Sequence, residues 1–113
     1  MTIKQTALRL LIEKAQNQET TTYEDLAIAL GLPSTGNALG KVLGKILGEV
    51  NTWAMVRGQP YLSSLVVRKS GEDQGLPGQG FWDLVLPGQR LTSHQKRNML
   101  LMLHSQVYNF YAM

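Results

Sequence analysis

Two lysines one helical turn apart, Lys41 and Lys45, lie in a stretch whose apolar residues recur every three or four positions. At that spacing both amines project on the same side of a helix, where they can meet neighbouring negative groups. Ser34, Thr35 and Asn37 stand where that helix begins. The free N–H groups and positive dipole end of a helix N-terminus suit a phosphate or a base edge. Arg68 and Lys69 form a second basic pair after an apolar stretch, and Gln79 follows in a glycine-rich loop, where its amide can reach a groove. Together these residue types suit the binding of a polyanion. A solvated helix face explains the lysines nearly as well.

Other chemistry finds little support. With no cysteine there is no disulfide framework, no thiol nucleophile and no thiolate zinc site. His94 and His104 are ten residues apart with no carboxylate or second histidine at metal-ligand spacing, so surface or half-buried histidines are expected. Glu24-Asp25 is explained by its place in a first helical turn. The run Gly75-Leu76-Pro77-Gly78-Gln79-Gly80 lacks the lysine and hydroxyl residue of a phosphate-binding loop and reads as a turn. No catalytic residue, metal or cofactor is expected, and the chain is read as no enzyme.

Composition sets the frame. The 113 residues are 43% hydrophobic and 17% charged, which suits one globular domain over residues 1–113. Eleven basic against eight acidic residues leave a charge of +3, which permits nucleic-acid binding without demonstrating it. No apolar run approaches the roughly 20 residues of a membrane span, and Met1 to Gln5 lacks a secretory pattern. No membrane association and a cytoplasmic location are the expectations.

The elements that must position the basic residues follow from periodicity. Ile3, Ala7, Leu8, Leu11, Ile12 and Ala15 mark an amphipathic helix over Thr2 to Asn17. Thr22 caps a short helix that runs from Tyr23 to about Leu30 and ends at Gly31. Ser34 or Thr35 caps a longer helix with Ala38, Leu39, Val42, Leu43, Ile46, Leu47 and Val50 on its apolar side. Gly36, Gly40, Gly44 and Gly48 recur every four residues there, although a glycine weakens a helix by about 1 kcal/mol relative to alanine. Close packing against another helix is the commoner reason, and approach of a ligand such as a phosphate is the other. Lys41 and Lys45 exclude a membrane dimer motif.

Tyr61 to Arg68 is β-branched and apolar and reads as a strand; Lys69 to Gly80 reads as a long turn. Phe81 to Val85 is either the return strand of a hairpin or a short helix. A last helix spans about 92–112, capped at Thr92 or Ser93, with Met99, Leu100, Leu103, Val107 and Phe110 or Tyr111 inward. The expected fold is mainly α with a small β-hairpin (α+β), a winged helix-turn-helix.

From Tyr23 onward the chain resembles the DNA-binding half of the O6-alkylguanine-DNA alkyltransferases and the cysteine-free alkyltransferase-like proteins. The resemblance is carried by Thr22-Tyr23-Glu24-Asp25-Leu26-Ala27, Ala29-Leu30-Gly31-Leu32-Pro33, Asn37-Ala38-Leu39-Gly40-Lys41-Val42-Leu43 and Leu62-Ser63-Ser64-Leu65-Val66-Val67. It covers about half the chain. It implies a recognition helix laid in the minor groove, with Tyr23 at the position of a tyrosine that helps rotate a nucleotide out. Asn37 stands where the family places an arginine. Leu62, Ser63, Ser64 and Leu65 stand where it places proline, cysteine, histidine and arginine. A serine without an activating base is no alkyl acceptor near neutral pH, so repair by alkyl transfer is not expected.

The expectation is a non-catalytic double-stranded DNA-binding protein of bacterial or phage type, reading damaged or modified bases or regulating transcription. Its expected contacts are Tyr23, Ser34, Thr35, Asn37, Lys41, Lys45, Arg68, Lys69 and Gln79. A base reader acts as a monomer, and a regulator as a homodimer joined through the last helix. Tyr61, Phe81 and Trp82 pack as core or stack on a base. The alternative is a protein-interaction module, a phage-type inhibitor or adaptor with a protein partner, on the same scaffold.

Overall fold

The computed structural model describes residues 2–33 and 36–112, and for residues 37 and 38 the backbone alone. Among the described residues there are five helices: α1 (Ile3–Gln16), α2 (Tyr23–Ala29), α3 (Asn37–Arg57), α4 (Gln79–Val85) and α5 (Ser93–Tyr111). Two short strands, β1 (Thr21–Thr22) and β2 (Val66–Val67), pair in parallel, with Thr21 opposite Val66 and Thr22 opposite Val67. The molecule is therefore mainly helical with a small sheet. No helix among the described residues is long and apolar enough to cross a membrane.

The helix ends follow local sequence. The Thr2 hydroxyl accepts from the Gln5 N–H while the Gln5 side chain accepts from the Thr2 N–H, and Thr92 and Gln95 repeat this capping box on α5. Thr22 caps α2 by accepting from Asp25 N–H at 3.1 Å. α3 ends at Gly58, whose left-handed backbone (φ 63°) is the usual helix stop. Its N-cap is Gly36, which offers no side-chain cap, so the expected cap at Ser34 or Thr35 is corrected by position; both residues lie outside the described ones.

One apolar cluster joins these parts: Ala7, Leu11 and Ala15 from α1, Leu26 and Ala27 from α2, and Leu43, Ile46, Leu47 and Val50 from α3. Leu62, Leu65 and Val66 enter it from the chain after α3, and Val107 from α5. Val42, read as inward, is instead 38% exposed, and Phe110 of α5 is 52% exposed.

The expected β-hairpin is not formed. Leu62–Leu65 winds into a buried 3-10 turn, leaving Val66 and Val67 as strand, and β2 pairs with the distant β1. A parallel pairing needs a long crossover, here supplied by α2 and α3. Every residue from Leu62 to Val67 is buried, the polar Ser63 and Ser64 included, so the segment shows no in-out alternation that would separate one longer strand from a buried turn. Phe81 to Val85 is helix, not return strand: adjacent Phe81 and Trp82 are both buried, and the Gln79 amide bridges one turn to Asp83 at 2.9 Å. Between β2 and α4, Arg68 donates its N–H to Leu76 O (2.9 Å) and accepts from Gly75 N–H (2.8 Å), closing a loop over residues 69–75.

Candidate functional site

The glycines of α3 decide where the site lies. Among the described residues, a Cβ built on Gly40, Gly44 or Gly48 would meet no atom within 4 Å beyond the helix's own neighbouring backbone. Close packing inside the chain is therefore not their reason, contrary to the commoner expectation. All three line a half-open cavity of about 640 Å³ between α3, the start of α2 and the start of α4.

Three of the expected contact residues meet at this cavity. Tyr23, at the first position of α2, lines it together with Arg68 and Gln79. The Tyr23 hydroxyl accepts the Gly78 N–H at 2.7 Å and so ties α2 to the loop before α4. Burial pushes the phenol above its ordinary pKa of 10.0, against the opposing effects of the Gly78 bond and the Arg68 charge. Tyr23 thus keeps its proton near neutral pH. A Cβ on Gly78 would lie 3.1 Å from that hydroxyl, so glycine there permits the close approach.

The remaining candidates fall elsewhere. Lys41 and Lys45 are exposed on the next flank of α3, about 100° round from the glycines, in a groove shared with Lys4 of α1. Lys69 is exposed in the loop after β2 and lines neither hollow. Ser34 and Thr35 lie outside the described residues, as does the side chain of Asn37.

Sequence reasoning missed the polar floor of the cavity. Asn51 and Ser63, 2% and 3% exposed, line it, and the Ser63 hydroxyl donates to Asn51 Oδ1. A buried polar group must be hydrogen-bonded or its desolvation goes uncompensated, and this pair satisfies one donor and one acceptor. The available signal was Asn51 itself, a lone amide on the α3 face that carries Leu47, Val50 and Ala54. Glu24 also lines the cavity, with a buried Oε1 that has no hydrogen-bond partner among the described residues. Phe81 and Leu84 supply an apolar wall opposite α3. Phe81 meets Tyr61 and Trp82 edge to face, with ring centroids 6.2 and 5.1 Å apart, so these aromatics pack mutually and Phe81 alone of the three reaches the cavity.

α5 holds the wall from behind. Arg97 donates to the carbonyl oxygens of Gln74 (2.9 Å) and Glu72 (3.1 Å), and Lys96 Nζ donates to Gln79 Oε1 at 3.1 Å. His104 meets the Ser64 carbonyl through Nε2 at 2.7 Å, and burial lowers its pKa below 6.5 against the raising effect of that bond. His94 contacts only its helical neighbour Asn98, at 3.3 Å. The two histidines do not converge.

Chemically, the cavity offers a concave surface with apolar walls, hydrogen-bonding groups at its floor and a guanidinium at its edge. Its serine is hydrogen-bonded to an amide, whose oxygen is no general base. Comparison with protein-family models, with curated proteins and with solved structures finds no match to this chain.

Proposed function

We propose that this chain is a non-catalytic DNA-binding protein with a winged-helix plan, which presents α3 to a groove and takes a nucleobase turned out of the stack into the glycine-walled cavity. The observation that carries this reading is the stripe Gly40, Gly44 and Gly48, which lines the cavity and has no packing neighbour among the described residues within 4 Å of a Cβ built there. Three glycines weaken a helix by roughly 3 kcal/mol together relative to alanine. That cost with no neighbour in the fold to explain it points to a ligand needing close approach to the α3 backbone.

The scaffold fits. α2 is followed by α3, the element order of a helix-turn-helix, and the closed loop over residues 69–75, with Arg68 and Lys69 at its root, follows them in the chain as a wing would. In the resemblance read from Thr22 to Val67, the position of the nucleotide-rotating tyrosine falls on Tyr23, which lines the cavity. The serine at the position of the reactive cysteine is bonded to Asn51, which favours recognition without transfer. Reading of damaged or modified bases is preferred to transcriptional regulation because a concave hollow with an apolar wall and hydrogen-bonding groups stands beside α3, and not a helix face alone. Enzymes that act on a base extrude it into such pockets, stacking and hydrogen-bonding it there.

The test is fluorescence anisotropy with labelled duplexes at two salt concentrations, one fully paired and others carrying a mismatch or a modified base. Wild type is expected to bind in a salt-sensitive manner and to prefer a duplex whose base is easily extruded. Gly44→Val, which projects side chain into the cavity, is expected to erase that preference while leaving paired-duplex binding. Absence of duplex binding at low salt would overturn the reading and favour the protein-interaction alternative.

A further inference from the structure

On the next flank of α3 lies a second hollow, an open groove of about 690 Å³ between that helix and the first turn of α1. Lys4, Lys41 and Lys45 stand around it, with Glu49 at the C-terminal end of the α3 row. Its floor is apolar: Ile3 and Val42 are 46% and 38% exposed there, and Ile46 lies beneath. Nothing in the sequence pairs Lys4 with the α3 lysines, because α1 and α3 are separated by β1, α2 and a turn.

We propose that this groove seats one strand of a phosphodiester backbone, with Lys4, Lys41 and Lys45 contacting successive phosphates and Ile3 and Val42 carrying the sugar edges between them. The inference rests on the DNA-binding reading above and adds α1 to the surface it uses. Lys41 and Lys45 are separated by about 6 Å along the helix axis, comparable to the spacing of neighbouring phosphates on a strand. A backbone presents alternating anionic and apolar faces, and the groove alternates in the same way, with amines at its edges and aliphatic side chains on its floor. Three amines against one carboxylate give the complementary sign. Glu49 limits the track, since a phosphate passing it would meet like charge. Cavity and groove flank the same helix, so a duplex over α3 reaches Arg68 on one side and the lysines on the other.

The experiment measures the affinity of a fluorescein-labelled duplex from about 50 to about 200 mM salt. Removing one lysine–phosphate interaction makes the plot of log affinity against log salt shallower by about 0.9. Lys4→Ala is expected to flatten the slope by about one such step, and Lys41→Ala/Lys45→Ala by about two. Lys4→Arg should keep the wild-type slope. Lys14→Ala is the control: it removes the same charge from the last turn of α1, where Lys14 lines a different hollow. If wild type binds but Lys4→Ala behaves like Lys14→Ala, the groove proposal is overturned while DNA binding stands, and an acidic protein segment becomes the occupant to test. If wild type fails to bind the duplex at about 50 mM salt, the DNA reading falls and the groove proposal falls with it.

Discussion

The two flanks of α3 are built from the same stretch of sequence and solve opposite problems. One carries Gly40, Gly44 and Gly48, gives up helix stability and encloses a cavity whose polar groups are largely engaged within the chain. The other carries Lys41 and Lys45, good helix formers, and leaves them exposed in an open groove. Shape is costly to build, because a concave wall needs missing side chains and buried hydrogen bonds; surface charge needs only long side chains held near one another. Substitutions on the glycine flank should therefore move stability and shape recognition together, whereas those on the lysine flank should move salt dependence alone.

The largest expected effect tests the glycine flank directly. Gly40→Ala/Gly44→Ala/Gly48→Ala should raise the unfolding free energy by about 2–3 kcal/mol, measured by urea denaturation, because each added methyl enters open space on a helical backbone. The same variant should bind an extrudable base more weakly. A loss of stability would mean that the glycines are packed after all, and would remove the contrast between the flanks.

Asn51→Ala comes next. It leaves the buried Ser63 hydroxyl without its acceptor, at a cost of about 1–3 kcal/mol. Asn51→Ala/Ser63→Ala should recover part of that loss, and a double-mutant cycle reads the coupling. Additive losses would deny the pair its place in the cavity floor.

Tyr23→Phe removes the acceptor of the Gly78 N–H and should cost about 1 kcal/mol. Amide hydrogen exchange at Gly78 should accelerate while the core amides of Leu43 and Val50 hold. Uniform acceleration would mean that the tether stabilises the whole fold and not the cavity wall.

The smallest effect is a pH dependence away from both flanks. Burial lowers the His104 pKa in the folded state relative to the ordinary 6.5, so the unfolded chain binds the proton more readily. Stability contributed by neutral His104 is present above pH 6.5 and is lost as pH falls through the lower, folded value. His104→Gln should flatten the fall in melting temperature over that interval. An unchanged profile would place the acid sensitivity elsewhere.

Much of the local structure is legible in the sequence. The caps at Thr22 and Thr92 and the stop at Gly31 depend on neighbours within four residues, and the register of Ala7, Leu11 and Ala15 on helical periodicity. The hairpin is a misreading, because a short buried segment such as Leu62 to Val67 satisfies both a strand and a buried 3-10 turn. The site is half legible. Tyr23, Arg68 and Gln79 stand out as residue types, but their convergence does not.

The sequence by itself determined α1, α2, α5 and the body of α3, the caps at Thr22 and Thr92, the positive charge and the rows of glycine and lysine on α3, because those are set by short-range spacing. Only the tertiary structure decided that the glycines face an open cavity, that β1 pairs with β2 across two helices, and that Lys4 joins Lys41 and Lys45. Each of these depends on which surfaces the core brings together over long separations, and a one-dimensional pattern of residue types does not encode that distance.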